Sequence, residues 1–420
     1  MQTTNRWPWR AIILLILMIL LIRPAGGMEL SLSERLALER DPALLAFSQR
    51  IAAQEARAIA EGALPDPELL VGAQGVPVDH PLGADMMTQY RIGIRQRFPA
   101  GDSLHLREQA GEHQADALRA SLRARRLEVL EQTRSAWIDW AAALQSLEIA
   151  LASRQAFEDL LAITQARYRA GTGRQRDINQ ARLELALLEQ RILERRTAVD
   201  DAESRLERWT GLAPARGFDP DLPDWARPVD RSLLEEKLSA HPSLRVLEQQ
   251  VAAGAVQVEL AEAAYQPQWM LEAGYGHTRG NNPTTLQRQS DKLFAMVTFS
   301  VPLFTANRQD RRLAAARAEM QARGHDIDHR LQELRGELDR HWRSWHRHEE
   351  RLRLLEQRVL VEAENAVDAT LASYRADQAS FDELIRARLA LLEQKLVAIE
   401  LRRARLQAAV ELRYLAGESR

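Results

Sequence analysis

His325 and His329 stand four residues apart, with Asp326 and Asp328 between and beside them. On a helix that spacing puts both imidazoles on one face, a feasible two-ligand metal site. No third ligand is evident, and the reading that fits better is the solvated face of a long polar helix. His341, His346 and His348 lie further along, but His348-Glu349 is not followed by a second histidine, so it is not a zinc-protease helix motif. Arg91, Arg95 and Arg97 alternate with apolar residues and share one face of an extended segment. Asp382 and Glu383 follow a chain break, where acids are favoured by the dipole of a starting helix. There is no glycine-rich phosphate loop and no Gly-x-Ser-x-Gly elbow. The chemistry on offer is charge presented to a passing solute. No enzyme activity, no cofactor and no resident metal are expected, with His325 and His329 as weak metal candidates.

The elements that hold these residues follow from composition and periodicity. The chain is 28% charged and 45% hydrophobic and is rich in strong helix formers, figures that long amphipathic helices satisfy together. It has no cysteine, which excludes a disulfide framework, a thiol metal site and a lipid anchor on an N-terminal cysteine. Net charge is -2, so nothing electrostatic argues for nucleic acid. Arg6 and Arg10 precede an apolar run, Ala11–Ile22, and small residues follow at Ala25, Gly26 and Gly27. This predicts a secretory signal over 1–27; the apolar run is too short for a membrane-spanning helix, which needs about 20 residues.

The remaining chain says the same thing twice. Pro42, Pro67, Pro99, Trp137/Trp140, Tyr168 and Gly211 recur in order as Pro242, Pro267, Pro302, Trp342/Trp345, Tyr374 and Gly417, with an offset of 200 that drifts to 206. Between Ala166–Gly211 and Ala372–Gly417, 14 of 46 positions are identical without a gap. The period is too long for a solenoid unit and marks a duplicated half-protein. The first repeat spans 28–211, with helices expected over 33–63, 102–170 and 174–210 and strands over 68–78 and 88–98. A proline-rich linker covers 212–230. The second repeat spans 231–417, with helices over 231–264, 306–376 and 381–416 and strands over 269–277 and 292–301. Leu185, Ile192, Val199 and Leu206 recur every seven residues, the period of a coiled-coil seam. The paired tryptophans suit seam packing better than a tunnel lining.

The helix over 102–170 would be about 100 Å long, and the two shorter helices of its repeat sum to nearly that length. Each repeat therefore reads as one long rod beside two short rods stacked end to end, with its strands at one end and its turns at the other. Four strands of about ten residues, apolar on one face, have the length to cross an outer membrane at a tilt. Four strands cannot close a barrel, and open edges are not tolerated in lipid. Three copies would supply twelve strands. The alternative is a soluble sheet capping a helical bundle; the export signal and the Arg91/Arg95/Arg97 face favour a water-filled lumen.

At this point the chain resembles the TolC-like outer-membrane efflux family. The resemblance covers the mature chain. It rests on the duplicated order, on strand pairs ending in Phe98-Pro99 and Val301-Pro302, and on the turn Tyr168-Arg169-Ala170-Gly171-Thr172 with Asp177 six residues after the glycine. It implies a mainly α chain that trimerises into a 12-stranded transmembrane β-barrel in the outer membrane above a 12-helix coiled-coil tunnel in the periplasm. It also implies a passive exit duct fed by an inner-membrane pump through a periplasmic adaptor (membrane fusion protein). Segment Leu64–Met87 looks most like the heavy-metal efflux branch served by resistance-nodulation-division (RND) pumps, and so implies metal cations as cargo. Gly171, Thr172, Gly173 and Asp377 would sit at the helix-tip turns that meet the adaptor. Asp382 and Glu383 would ring the periplasmic gate, and Arg91, Arg95 and Arg97 would line the barrel lumen. Two departures stand out: Asp377 replaces the turn glycine in the second repeat, and Arg386 stands where the family pattern has a further acid. The other readings are a duct for drugs or for type I protein secretion, and a periplasmic coiled-coil adaptor or scaffold.

Overall fold

The computed structural model describes residues 29–79, 87–214, 220–223, 225, 230–282 and 284–418. The expected signal segment, much of the proline-rich linker and residues 80–86 of the Leu64–Met87 segment lie outside the described residues. In chain order the elements are α1 (Leu30–Arg40), α2 (Pro42–Gly62), β1 (Glu68–Gln74), β2 (Gln89–Phe98), α3 (Ser103–Arg169), α4 (Gln175–Thr210), α5 (Arg231–Leu238) and α6 (Pro242–Ala263). There follow β3 (Gln268–Thr278), β4 (Lys292–Ser300), α7 (Gln309–Leu354), a π-helical turn (Leu355–Val359), α8 (Leu360–Arg375) and α9 (Phe381–Leu415). No helix among the described residues is long and apolar enough to cross a membrane.

Three expected helices are divided. The helix expected over 33–63 breaks at Asp41, and that expected over 231–264 breaks before His241. In each case a proline, Pro42 or Pro242, takes the first position of the next helix, where its missing N–H costs nothing; inside a continuous helix its ring would collide with the carbonyl four residues back. His241, buried at 1% exposure, caps α6 by accepting from the Ser243 N–H. The helix expected over 306–376 is interrupted by the π turn. The repeat explains its position: the offset between halves is 205 at Trp140/Trp345 and 206 at Tyr168/Tyr374, so one extra residue lies between these landmarks. The π turn at Leu355–Val359 falls in that interval, and a wider turn is how a helix absorbs one added residue without rotating the faces beyond it. Strand β1 is shorter than expected because Gly75 turns the chain at φ +68, where a Cβ would meet the Met87 carbonyl oxygen at 2.3 Å.

Two compact units result. One comprises the described parts of Met1–Pro42, Arg126–Leu238 and Arg335–Arg420, the other Ala43–Arg125 and Ser239–Leu334. In the first unit the heptad row is the core. Leu188, Ile192, Val199, Ala202 and Leu206 of α4 are all at least 92% buried. Leu188 and Ile192 pack with Phe157 and Leu160 of α3 and with Leu384, Ile385 and Leu392 of α9, and Ala202 and Leu206 pack with Trp137, Ile138, Trp140, Leu406 and Val410 at another level. Trp137 and Trp140 meet edge to face at 6.2 Å and are buried, as seam residues are. Arg134, 3% exposed, is neutralised by Glu34 at 2.6 Å.

In the second unit α2 lies so close to α3 that a Cβ on Gly111 would stand 2.6 Å from the Cβ of Ala58. Leu106 and Ala110 of α3 pack on Val256 and Ala263 of α6. The four strands form one antiparallel sheet in the order β1-β2-β3-β4.

One polar feature of the first unit is strained. Burial and the neighbouring Glu411 and Glu128 push the Glu131 carboxyl up to about 7, and burial and Glu337 push Glu411 upward as well. A carboxyl whose folded value exceeds its unfolded value contributes stability that is complete below the unfolded value and lost as pH rises through the folded one. The thermal midpoint of the detergent-solubilised protein should therefore fall between pH 5.5 and pH 8. Glu131→Gln should flatten that slope, and an unchanged slope in this variant would refute the assignment.

Candidate functional site

The sheet is two-faced, and its register shows how. Cross-strand rows run Leu69, Ile94, Ala273, Ala295; Val71, Ile92, Tyr275, Leu293; and Phe98, Trp269, Phe299. This face is apolar and largely open: Leu69, Val71, Ile94, Leu293 and Phe299 are 58–86% exposed. Exposed apolar area of this extent marks contact with another apolar phase. Aromatic side chains bracket it. Phe98 and Trp269 stack at 3.8 Å near one end, and Tyr90 and Tyr275 lie toward the other. The rows at Phe98 and Tyr90 are eight residues apart, about 27 Å along a strand, which suits an apolar band about 25 Å tall between aromatic girdles.

The opposite face carries Glu68, Arg91, Arg95, Arg97, Glu272, Lys292, Thr298 and Ser300. The sequence-predicted arginines Arg91, Arg95 and Arg97 do share this face, each in a different setting. Arg95 lies between Glu272 at 3.0 Å and Glu68 at 3.4 Å, and Arg97 pairs with Glu68 at 2.9 Å. Arg91 sits over the ring of Phe294 at 4.4 Å and has no carboxylate partner among the described residues. Phe294, which shares this face with the apolar Leu70, Met270 and Met296, is accommodated by glycines. In its row, Gly274 and Gly93 stand where a Cβ would come within 2.5 Å and 3.2 Å of the ring. This arrangement was missed from the sequence, although the alternate glycines Gly93, Gly274 and Gly276 were a readable signal of close approach.

The second group of residues sits at the turns of the first unit. Gly171 adopts φ +78, and the Thr172 and Gly171 amides close onto the Arg167 and Tyr168 carbonyls. Asp377 adopts φ +63, and the Gln378 and Asp377 amides close onto the Ser373 and Tyr374 carbonyls. The replacement of glycine by Asp377 therefore leaves the turn unchanged, since aspartate is among the few residues that tolerate the left-handed region. Arg167 ties the two turns together: it pairs with Asp377, donates to the Tyr374 carbonyl, and lies 4.7 Å over the Tyr374 ring. Arg176 pairs with Asp382 at 3.2 Å. Neither arginine stood out in the sequence, because Arg167 aligns with Ser373 and Arg176 with Asp382, so the repeat does not flag them.

Asp382 and Glu383 are adjacent but serve different ends. Glu383 closes a capping box: it accepts from the Ser380 amide while the Ser380 hydroxyl accepts from the Glu383 amide. Those bonds hold the Glu383 carboxyl below its ordinary value. Asp382 points its carboxylate at Arg176 and is half exposed. His325 and His329 are both exposed; His329 contacts Glu333 at 3.4 Å. No group of three or more metal-binding side chains exists among the described residues.

Comparison with known proteins agrees with this geometry. The outer membrane efflux protein model matches residues 35–212 and 233–418. The chain is 28% identical over 205 residues to Protein CyaE of Bordetella pertussis, a match that covers 46% of this chain and 42% of that protein. Its fold is similar to that of CusC (TM-score 0.77, 16% identity, 94% of this chain and 95% of that one). It is similar likewise to VceC of Vibrio cholerae (0.75, 19%, 93% and 96%) and to the open state of MtrE of Neisseria gonorrhoeae (0.77, 15%, 94% and 90%).

The capping box has a direct test. Ser380→Ala should cost about 1 kcal/mol locally, seen as faster amide exchange in the first turn of α9, whereas Ser380→Asp should retain protection. The two faces of the sheet, the paired turns and the match across both repeats lead to one conclusion: the chain belongs to the outer membrane efflux protein family, a TolC-like, non-enzymatic outer-membrane channel with a periplasmic helical tunnel.

Proposed function

We propose that this channel is the exit duct of a tripartite efflux system, a homotrimer joined through a periplasmic adaptor to an inner-membrane RND-type pump. The observation that carries the reading is the sheet. It is apolar on one face and charged on the other, and its outer strands β1 and β4 have no further partner among the described residues. Copies of the same chain supply the missing neighbours. Transport is passive: the pump supplies the energy, and the duct supplies a water-lined path. Arg91, Arg95 and Arg97 face the barrel lumen. The turns at Gly171, Thr172, Gly173 and Asp377 form the tips that meet the adaptor.

Asp382 is the gate residue at the periplasmic mouth, held by Arg176, and Glu383 supports it by fixing the start of α9. Asp382→Asn should raise single-channel conductance in planar bilayers. Glu383→Gln should loosen the first turn of α9 without that rise. Equal conductance in Asp382→Asn and the parent channel would remove Asp382 from the gate.

The cargo reading from sequence, heavy-metal cations, rests on the resemblance of segment Leu64–Met87. The similarity to Protein CyaE supports a second reading, a duct for type I secretion. A deletion strain challenged with copper, silver, zinc, cobalt and cadmium beside a drug panel separates them. Hypersensitivity to metals alone supports the metal branch. Drug and detergent sensitivity with normal metal tolerance assigns the duct to a multidrug system. Loss of an exported protein, with both tolerances intact, assigns it to secretion.

A further inference from the structure

The polar face of the sheet is not balanced. Among the described residues, Arg91, Arg95, Arg97 and Lys292 share this face with two carboxylates, Glu68 and Glu272, and both are engaged by Arg95 or Arg97. Arg91 and Lys292 have no carboxylate partner among the described residues. The excess continues past the end of the strands. A cleft of about 790 Å³ lies against the same face, lined by Arg95 and Arg97 from the sheet, Ser103 and Arg107 from the first turns of α3, and Arg312 from the start of α7. Arg107 and Arg312 are exposed and form no ion pair among the described residues. One further carboxylate, Glu319, lines the cleft.

Two more observations point to a ligand. The Ser103 side chain, 5% exposed, has a hydroxyl with no hydrogen-bond partner among the described residues, at the first residue of a 67-residue helix whose leading amides favour negative charge. The floor is apolar, built from Leu260, Ala261 and Ala264 beside Ala315 and Ala316. Cationic donors over an apolar floor, in a volume typical of small-molecule sites, match an anion carried on a hydrophobic body.

We propose that the barrel end of this duct selects anions, and that the cleft at the base of the sheet is a transient site for amphipathic organic anions: a sulfonate, carboxylate or phosphate on an apolar or aromatic frame. The proposal rests on the exit-duct reading and names its cargo class. The anionic head lies between Arg107 and Arg312, accepts from the Ser103 hydroxyl, and leaves its body on the alanine floor. Arg97 and, further along the strands, Arg91 and Lys292 within one cross-strand row then offer two successive cationic levels, as rings of basic side chains do in anion pores. Binding is weak, because conduction requires release. A cationic metal ion would meet repulsion along this stretch, so the proposal favours organic anions over free metal cations as cargo.

The test uses the full chain as a detergent-solubilised trimer. Equilibrium dialysis with 2-naphthalenesulfonate should show saturable binding, and the matched cation 2-naphthylmethylammonium should show none. Arg107→Gln combined with Arg312→Gln, both at exposed helical positions, should weaken sulfonate binding by roughly tenfold or more while the heat-resistant trimer persists. Equal uptake of both probes, or unaltered affinity in the double variant, overturns the site. In planar bilayers under a potassium chloride gradient, the reversal potential should report chloride preference. That preference should fall in the Arg91→Gln, Arg97→Gln, Lys292→Gln triple variant. Potassium preference that the triple variant leaves unmoved overturns anion selection. A chain that yields no trimer and no pores overturns the exit-duct reading itself, and the proposal with it.

Discussion

A backbone amide or carbonyl in hydrocarbon must find its partner within protein, because no water is there to replace it. The rest of this structure depends on that constraint. The described residues form four antiparallel strands, and β1 and β4 each leave one edge unpaired among them. A membrane wall can be built from such a sheet only when further copies continue it around a circle. The family's trimers do this. The same constraint explains the sheet's lateral order: each repeat contributes one hairpin, and β2 joins β3 to make a continuous surface. It also explains why most of the exposed apolar area falls on alternate residues, with Met296 on the polar face as an exception. One face is apolar and open, while the other keeps Glu68, Arg95, Arg97 and Glu272 in mutual contact.

The helices obey a softer rule. Their seams need apolar side chains at regular intervals, and the interval can be repaired locally when the chain length changes. The second repeat carries one residue more than the first between its tryptophans and its turn, and the π turn at Leu355–Val359 takes it up. The register is restored before the turn: Tyr374 and Phe381 are buried beside Leu384 as the seam requires. The substitution of Gly171 by Asp377 in the second turn is another local repair. Both turns close with the same pair of hydrogen bonds, and the aspartate gains a use that glycine lacks, since its carboxylate receives Arg167.

Charge is distributed with a purpose that composition hides. The whole chain is close to neutral, at -2, yet the polar face of the sheet is cationic and the helix start at Asp382 and Glu383 is acidic. Within the acidic pair, Glu383 is committed to backbone amides and Asp382 to Arg176. Adjacent residues of like type thus have unlike roles, one structural and one free to respond to its partner.

Much of this was legible in the sequence. The duplication, the strand alternation, the heptad row Leu185 to Leu206 and the turn at Gly171 each depend on local spacing, and local spacing survives in a linear chain. The sharing of one face by Arg91, Arg95 and Arg97 follows from a period of two and needed no structure. The breaks at Pro42 and Pro242 were also written in the chain, since proline cannot continue a helix; there the periodic pattern masked a local rule. Other features were beyond sequence. The ties from Arg167 to Asp377 and from Arg176 to Asp382 join residues more than 200 positions apart. The fit of Phe294 over Gly274 depends on strand register, and the raised carboxyls of Glu131 and Glu411 depend on burial by separate helices. The sequence by itself determined the periods, the repeats and the faces, because these are set by neighbours along the chain. Only the tertiary structure decided which charges are paired and which are left over, because an ion pair depends on distance through space.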